Sequence, residues 1–375
     1  MQTEVRSWRL RLPAAVLGAC LCTTVVTAAP RAPDYLFDDA HFHLTNYVQQ
    51  GITARRYLEI MGDKVGRSTL FGIPLQQTWS YGNSGDFAPT YYLQTDAPLY
   101  YYSFTDAYIA RLFQALPKAQ QARLDPMITG FNPADMYGVD HIRRVLELFP
   151  GVFTGIGEFT IHKEFVSSKV AGETASLTNP ALDRILDFAG QVGLVVIIHS
   201  DIDMPFGKAG AEPVYLKQMR DLLRRHANTT IIWAHFGLGR VVHPTQDQAT
   251  TSGGAERSSA YQEIVEGMLE DPGLKHVSFD ISWDEVAKYA VASPQSIERV
   301  IKAFNAHPNR FLFGTDNVAP PDQAAQLRVY ELWAPVWAGL TPEASLKIRK
   351  GNYERIFDAA RLKVRAWEKA NVKPL

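Results

Sequence analysis

The sequence predicts an α/β fold, a distorted (β/α)8 TIM barrel, and three observations support this. Apolar strand-like runs alternate with helical stretches along the chain, which favours a parallel sheet. Several runs are continuously apolar, as in residues 194–198, and such runs are typical of parallel strands buried on both faces. The chain has 375 residues and no dividing linker, so its length fits one large barrel domain.

Eight strands are expected from the apolar runs, which is the number that one barrel needs. They cover residues 36–42, 69–74, 127–131, 154–159, 195–199, 230–235, 277–281 and 311–315. Helices are expected between them. One spans 180–192, with apolar side chains at helical spacing and Asn179 as its N-cap, and others span 215–226 and 321–340.

The composition is that of an ordinary globular protein, with 46% hydrophobic and 21% charged residues. The formal net charge is −1, so no overall field selects nucleic acid or anionic lipid as a partner. The sequence also lacks a basic track that would follow a phosphate backbone. We therefore expect a small-molecule substrate, no nucleic-acid partner and no membrane span. The oligomeric state is not indicated.

The N-terminal segment has the pattern of a secretory signal peptide. Arginines precede an apolar stretch, 12–26, and small residues follow it, so cleavage is expected after Ala28. This gives a signal peptide over 1–28, a barrel domain over 34–375, and an exported protein, periplasmic or secreted. The stretch is too short for a transmembrane helix, which needs roughly 20 apolar residues.

A lipid anchor at Cys20 is the alternative, because residues 17–20 resemble a lipobox. The apolar residues after Cys20 favour simple cleavage. Both cysteines, Cys20 and Cys22, lie in this segment. A mature chain without them folds without disulfides and holds any metal by histidine and carboxylate.

Two long connections follow the second and sixth expected strands. Residues 80–102 are rich in tyrosine, and residues 243–259 are polar. Strand-to-helix loops of a barrel lie on its catalytic face, so the first connection is expected either to wall a ligand or to pack on the surface. The second is expected to be a mobile loop.

Metal-ligand residue types stand at the ends of five of the expected strands. His41 and His43 occupy alternate positions after an apolar run, so both side chains are expected on one face. The full set is His41, His43, Glu158, His199, His235 and Asp316. The C-terminal ends of barrel strands converge on one site, and this donor set suits a divalent ion such as zinc. Singly, each residue is also compatible with a structural hydrogen bond.

With these motifs the chain resembles the amidohydrolase superfamily of metal-dependent barrel hydrolases. The matching segments are His41-Phe42-His43, Gly157-Glu158, His199, His235-Phe236-Gly237 and Gly314-Thr315-Asp316. Residues 351–357 look like the terminal motif of the amidohydrolase-related branch. The resemblance covers nearly the whole mature chain, and its motifs are specific as a set.

The resemblance implies a ligand set. His41 and His43 would bind one ion with Asp316, and His199 and His235 would bind a second. Glu158 would bridge the two, as in the TatD-like deoxyribonucleases. Many other members of the superfamily use a carboxylated lysine as the bridge. In relatives with one ion, His235 instead orients the substrate. One or two divalent ions are therefore expected, with zinc as the expected metal.

The expected reaction is hydrolysis of a small ester, lactone, amide or phosphoester by metal-activated water. Asp316 would be the catalytic residue that accepts the water's proton and delivers it to the leaving group. The alternative is a lyase, a non-oxidative decarboxylase or hydratase acting on an aromatic or unsaturated acid. A third hypothesis is a non-catalytic metal-binding protein of the cell envelope.

Five further residues near these motifs have weaker signals. His162 and Lys163 are expected either to contact substrate or to be exposed loop residues. Asp280 is expected to orient a metal-bound histidine or to bond locally. Trp283 would stack on a ligand or pack, and Arg240 would bind a substrate carboxylate or form a surface ion pair.

Overall fold

Eight parallel strands form one sheet, in the order in which they occur along the chain. In sequence they are Phe37–Asp39, Val65–Leu70, Leu124–Ile128, Gly155–His162, Val195–Ser200, Ile231–Trp233, Val277–Asp280 and Phe311–Leu312. They are called the first to eighth barrel strands below. This order is that of a TIM barrel, and the predicted fold class is confirmed.

The sheet curls until its eighth and first strands meet. The amide of Ala40 donates to Phe313 O at 3.0 Å, and the amide of Asp316 donates to His41 O at 2.8 Å. Beyond these bonds, the short strands Phe42–His43 and Asn317–Val318 pair in parallel. The chain therefore joins the two ends of the sheet at the C-terminal mouth, where His41, His43 and Asp316 lie.

The computed structural model describes residues 34–45, 51–72, 77–78, 104–163, 167–170, 173–174, 176–202, 213–238 and 264–373. Within these ranges, residues from Asp34 onward form one compact unit. The predicted signal peptide, both cysteines, the connections 80–102 and 243–259, and Arg240 lie outside the described residues.

Helices connect the strands and cover the outside of the barrel. The α-helices are Ala54–Met61, Phe104–Gln114, Lys118–Gln121, Gly138–Leu148, Pro180–Val192, Leu216–Arg225, Asp284–Ala290, Pro294–Ala306, Gln323–Leu332, Ala334–Trp337, Pro342–Leu346 and Asn352–Asn371, with residues 264–270 also helical. A π-helical turn, Lys347–Gly351, precedes the last helix. Short strands Gln77–Thr78, Ser167–Val170 and Glu173–Thr174 form a separate antiparallel sheet. None of the described helices has the length and apolar content needed to cross a membrane.

Side chains along the fifth barrel strand alternate between the inside and the outside of the barrel. Val195 and Ile197 belong to the inner apolar cluster, whereas Val196 and Ile198 pack with the helices outside. His199 follows Ile197 by two residues and so continues the inward series. The strand's alternation thus carries this imidazole into the mouth of the barrel.

The second and third strands begin earlier than the sequence predicts. The predicted ranges 69–74 and 127–131 correspond to Val65–Leu70 and Leu124–Ile128. Each strand carries a charged residue near its start, and the two pair across the strands: Arg67 Nη2 of the second strand lies 2.9 Å from Asp125 Oδ2 of the third. A charged residue within a strand interrupts the apolar run from which the strand was predicted.

Two predicted helices, 180–192 and 215–226, are close to the observed Pro180–Val192 and Leu216–Arg225, and the third was wrong. The helix Pro180–Val192 has the predicted bounds, and Asn179 Oδ1 accepts from Ala181 N at 2.9 Å. The predicted helix 321–340 is broken after Leu332 into Gln323–Leu332 and Ala334–Trp337. The proline in the second piece lacks a backbone N–H and so cannot donate the hydrogen bond that would continue the first piece, which explains the break.

Candidate metal centre

The structure brings all six candidate residues together at the C-terminal mouth of the barrel. They are His41, His43, Glu158, His199, His235 and Asp316. The side chains of five are at most 6% exposed, and that of Asp316 is 13% exposed. Asp316 is therefore the member of the set that solvent reaches most easily.

The first group consists of the two histidines that follow the first strand and of Asp316. Asp316 Oδ1 lies 3.3 Å from His41 Nε2 and 3.2 Å from His43 Nε2. The imidazole rings are 5.2 Å apart between centroids. Both Nε2 atoms thus face one carboxylate oxygen, as alternate positions along an extended segment allow.

Asp39 joins the two segments that carry this group. Its carboxylate is fully buried and accepts from Thr315 N at 2.9 Å and from Thr315 Oγ1 at 2.7 Å. The same carboxylate accepts from Gln326 Nε2 at 2.7 Å and from His41 N at 3.1 Å. These bonds fix the residue before Asp316 against the residues before His41.

The second group consists of Glu158, His199 and His235. Glu158 Oε1 lies 2.6 Å from His199 Nδ1 and 3.4 Å from His235 Nε2. The other oxygen of Glu158 turns to the first group: Oε2 lies 3.4 Å from His43 Nε2 and 3.7 Å from His41 Nε2. One carboxylate therefore stands between two pairs of histidines, with one oxygen toward each pair.

Each of the four imidazoles also has a partner on the side away from the centre. The partners are Asp280 Oδ2 for His41 Nδ1 at 2.9 Å, Gly72 O for His43 Nδ1 at 3.2 Å, Asp201 Oδ1 for His199 Nε2 at 3.1 Å and Ser282 Oγ for His235 Nδ1 at 2.9 Å. A carboxylate or carbonyl oxygen only accepts, so in the metal-bound protein the ring nitrogen facing Asp280, Gly72 or Asp201 would carry the proton. The nitrogen toward the centre is then the one available as a ligand.

Two of the inward nitrogens test whether these residues fit a metal ion. His41 Nε2 and His235 Nε2 are buried and make no hydrogen bond among the described residues. A buried polar atom without a partner is rare in folded proteins and calls for an explanation. A bound cation supplies one, because imidazole nitrogens and carboxylate oxygens are the donors that divalent zinc prefers.

Opposite charges at the centre shift one another's pKa values. Burial alone would raise the pKa of Glu158, but the facing histidines outweigh burial and hold this pKa well below its usual value. Burial and Lys163 lower the pKa of His199, yet Glu158 and Asp201 outweigh them and raise it to about 9. The pKa of His41 is raised well above its usual value, because Asp280 and Glu158 outweigh its burial.

Left-handed backbone places two of the six side chains. His235 and Asp316 both have a φ of 55°, and Phe236 has 59°. The sixth and eighth strands end at Trp233 and Leu312, short of the predicted ends at 235 and 315. His235 and Asp316 therefore reach the centre from turns beyond the strands, in a conformation that L-residues rarely adopt.

A family model described as Amidohydrolase matches residues 38–359. The chain belongs to the amidohydrolase family. It is therefore an enzyme of the metal-dependent hydrolase type or of a related activity, and the His, Asp and Glu groups of the centre support a divalent metal. A comparison with curated proteins gave no significant match.

Solved structures agree with the amidohydrolase fold. An amidohydrolase from Burkholderia multivorans with bound HEPES has a TM-score of 0.53 at 12% identity, covering 86% of this chain and 99% of that one. A zinc-bound structure of an amidohydrolase from the same organism has a TM-score of 0.50 at 14% identity, with the same coverage. A TIM-barrel protein from Bordetella bronchiseptica has a TM-score of 0.50 at 15% identity, again with that coverage.

The structure of this amidohydrolase decides between the two expectations for His162 and Lys163. His162 and Lys163 are not exposed loop residues: His162 ends the fourth strand with its ring stacked on Tyr215, and Lys163 is buried. Lys163 Nζ lies 5.9 Å from the ring centroid of Trp283, whose ring is 5.3 Å from that of His235. Lys163 and Trp283 therefore border the mouth next to the centre.

The sequence prediction missed two residues that contact the histidines, Asp201 and Ser282. Each stands two positions after a strand-end candidate, Asp201 after His199 and Ser282 after Asp280. Positions two apart share a face in extended backbone, so this spacing was a signal that could have found them. Asp280 accepts a hydrogen bond from His41, which fits the first of its two predicted roles, the orientation of a histidine at the centre.

Proposed function

We propose that this amidohydrolase hydrolyses a small-molecule ester, lactone, amide or phosphoester with two zinc ions. His41, His43 and Asp316 would hold one ion, and His199 and His235 the other. Glu158 would bridge them, and its likeness in this respect to the TatD-like enzymes stays a prediction. The proposal goes beyond the family assignment in naming the ligands, the metal, the number of ions and the bonds attacked.

One observation carries the proposal: the two oxygens of Glu158 face different pairs of histidines. Oε1 is directed to His199 and His235, and Oε2 to His41 and His43. A carboxylate that served a single ion would need only one of these pairs. Two-metal hydrolytic sites place their ions about 3.5–4 Å apart, a separation that a bridging carboxylate spans.

Zinc is the metal we propose because the donors are four imidazole nitrogens and two carboxylates. Zinc binds histidine and carboxylate ligands in catalytic sites, whereas calcium and magnesium prefer oxygen alone. The zinc in the Burkholderia multivorans structure is consistent with this choice.

When bound, a divalent ion lowers the pKa of a coordinated water toward about 7 and polarises the substrate's carbonyl or phosphoryl oxygen. Asp316 is the residue that we propose to handle the proton. Burial would raise its pKa, but His41 and His43 outweigh burial and hold the pKa well below its usual value, so the group is a carboxylate. It is also the most exposed of the six side chains. Asp316 can thus take a proton from the attacking water and pass it to the leaving group.

Lys163 and Trp283 are proposed to border the bound substrate. The indole of Trp283 packs beside His235 and offers an apolar wall, while the ammonium of Lys163 lies near the same ring. An oxygen-rich substrate placed between them and the histidines would meet one cation and one aromatic face. This arrangement leaves open which of the four bond types is cleaved.

Elemental analysis and a substrate panel test the proposal together. The purified protein should contain about two zinc ions per chain, since two histidine pairs are present. It should then release acid from esters, lactones, amides or phosphoesters, with incorporation of oxygen from labelled water. Carbon dioxide release from aromatic acids without such incorporation would instead establish the lyase alternative. A protein that binds zinc but turns over neither panel would favour the non-catalytic hypothesis.

We also propose that the protein is exported after cleavage at Ala28. The support is the charged, apolar and small-residue order of the N-terminal segment. Mass spectrometry of the mature protein from the cell envelope or medium should give an N-terminus at residue 29. A lipid-modified Cys20 would establish the anchor, and an uncleaved chain in the cytoplasm would contradict export.

A further inference from the structure

Asp280 ends the seventh barrel strand and accepts four hydrogen bonds at the back of the centre. The residue is fully buried. Its Oδ2 accepts from His41 Nδ1 at 2.9 Å. Its Oδ1 accepts from the backbone amides of His235 at 3.0 Å and Ser282 at 3.2 Å, and from the hydroxyl of Ser282. One carboxylate therefore contacts residues of both groups.

The hydroxyl of Ser282 extends this contact to the ring of His235. Because Asp280 only accepts, Ser282 donates its proton to Oδ1, and its oxygen remains as the acceptor for His235 Nδ1 at 2.9 Å. With an ion bound, His235 would consequently carry its proton on Nδ1 and offer the lone pair of Nε2. His41 would have the same tautomer through its direct bond to Asp280.

We propose that Asp280 and Ser282 are a positioning pair that sets the ligand nitrogens of both ion sites. The proposal rests on the proposed function, because it assigns His41 to one ion and His235 to the other. Asp280 acts on His41 directly and on His235 through its amide and through Ser282. The seventh strand, which supplies no proposed ligand, thereby couples a ligand of the first strand to a ligand that follows the sixth.

Asp280 is a hydrogen-bond acceptor in this arrangement and not a third ion's ligand. The side chains of His41, His235 and Asp280 also lie close enough together to hold a metal ion. Both oxygens of Asp280, however, already accept from N–H or O–H groups. A cation in the same place would be repelled by those protons. The inward Nε2 atoms of His41 and His235, which lack such partners among the described residues, are the ligand atoms.

Zinc titration of three variants separates this role from a general structural one. Ser282→Ala removes only the hydroxyl, and we expect it to weaken one of the two zinc-binding steps by about 10–100-fold and leave the other unchanged. Asp280→Asn replaces an acceptor with a donor and should weaken both steps by similar factors. Ser278→Ala is the control: it is the same change four residues earlier, within the seventh strand, and no hydrogen bond joins Ser278 to a histidine in the described part of the chain.

The thermal midpoint of each variant in excess chelator is measured beside the titration. A positioning role predicts that Ser282→Ala lowers zinc affinity more than it lowers the midpoint of the metal-free protein. Lower metal-free midpoints with both zinc affinities unchanged would overturn the proposal, and so would equal weakening of both steps by Ser282→Ala. Should Asp280→Asn not fold, Ser282→Ala alone decides. If the wild-type protein binds no zinc, the proposed function fails first, and the inference fails with it.

Discussion

Gly157 lies directly against the carbonyl of Ile197 on the neighbouring strand. A β-carbon built on Gly157 would lie 2.1 Å from Ile197 O, and the residue has a φ of 112°. Both facts require glycine immediately before Glu158, because any side chain would push the fourth strand away from the fifth. The position of Glu158 between the histidine pairs therefore depends on a missing side chain one residue earlier.

Gly157→Ala should destabilise the fold by on the order of 3 kcal/mol, since it combines a backbone clash with a disfavoured φ. Urea unfolding in excess chelator measures this without a contribution from metal. Gly267→Ala is the matched control, because nothing lies within 4 Å of its added β-carbon and the residue is helical. That control should be stabilised by about 0.5–1 kcal/mol. Equal stability of the two variants would contradict the packing argument.

Asp316→Asn should remove turnover while the fold and at least part of the metal remain. The amide keeps the shape of the side chain but cannot accept and return a proton, and loss of such a group costs about 10²–10⁴-fold in kcat. Steady-state kinetics and circular dichroism measure the two effects. Asp322→Asn is the control, because Asp322 caps the helix Gln323–Leu332 and asparagine caps equally well. Unchanged turnover in Asp316→Asn would remove this residue from the mechanism.

Glu158→Gln should lower the zinc content from about two ions per chain to one or none. The amide removes the negative charge and one of the two oxygens that face the histidine pairs, so bridging is lost. Elemental analysis after dialysis gives the stoichiometry. Glu343→Gln makes the same change at an exposed ion pair with Lys347 and should keep the wild-type content. Two ions retained in Glu158→Gln would show that this residue does not bridge.

Sequence reasoning located the eight strands and the six candidate residues because both leave local signals. A buried parallel strand is an apolar run, and a group at its end is a polar residue immediately after the run, as at His199. The end of the sixth strand was wrong because His235 leaves the strand direction through left-handed backbone, and the eighth strand ended too early for Asp316 because Phe313 N donates to Ile348 O and not to the sheet. Residue type does not predict that conformation, since histidine and aspartate adopt it only when the surrounding structure requires it.

The hydrogen bonds around the centre show a second limit. Asp280 belongs to the seventh strand, while the histidines that it orients follow the first and sixth. Such contacts join residues far apart in the chain, so the sequence could suggest that Asp280 orients a histidine but contains no period or motif that identifies which one. The early starts of the second and third strands have a related cause, because Arg67 and Asp125 interrupt apolar runs to pair with one another.

Asp38 provides a test of electrostatics away from the proposed ligands. Its Oδ1 accepts from Arg67 N at 2.7 Å, whereas Oδ2 is buried without a hydrogen-bond partner in the described ranges. Burial, assisted by the charge of Glu354, raises the pKa of this carboxyl from 3.8 to about 7 against the opposing effect of Arg67. The folded protein therefore holds this proton more tightly than the unfolded chain does.

Asp38→Asn should remove one contribution to stability that falls as pH rises. In the wild type, the folded state binds the Asp38 proton between pH 4 and 7 while the unfolded state has released it, so this residue's contribution to stability falls as pH rises through that window. Asparagine keeps the acceptor for Arg67 N and carries no titrating proton. The free energy of unfolding of the variant relative to wild type should thus increase by about 1.4 kcal/mol per pH unit within the window. Urea unfolding of both metal-free proteins from pH 4.5 to 8 measures this difference, and a difference independent of pH would mean that Asp38 ionises as it does in the unfolded chain.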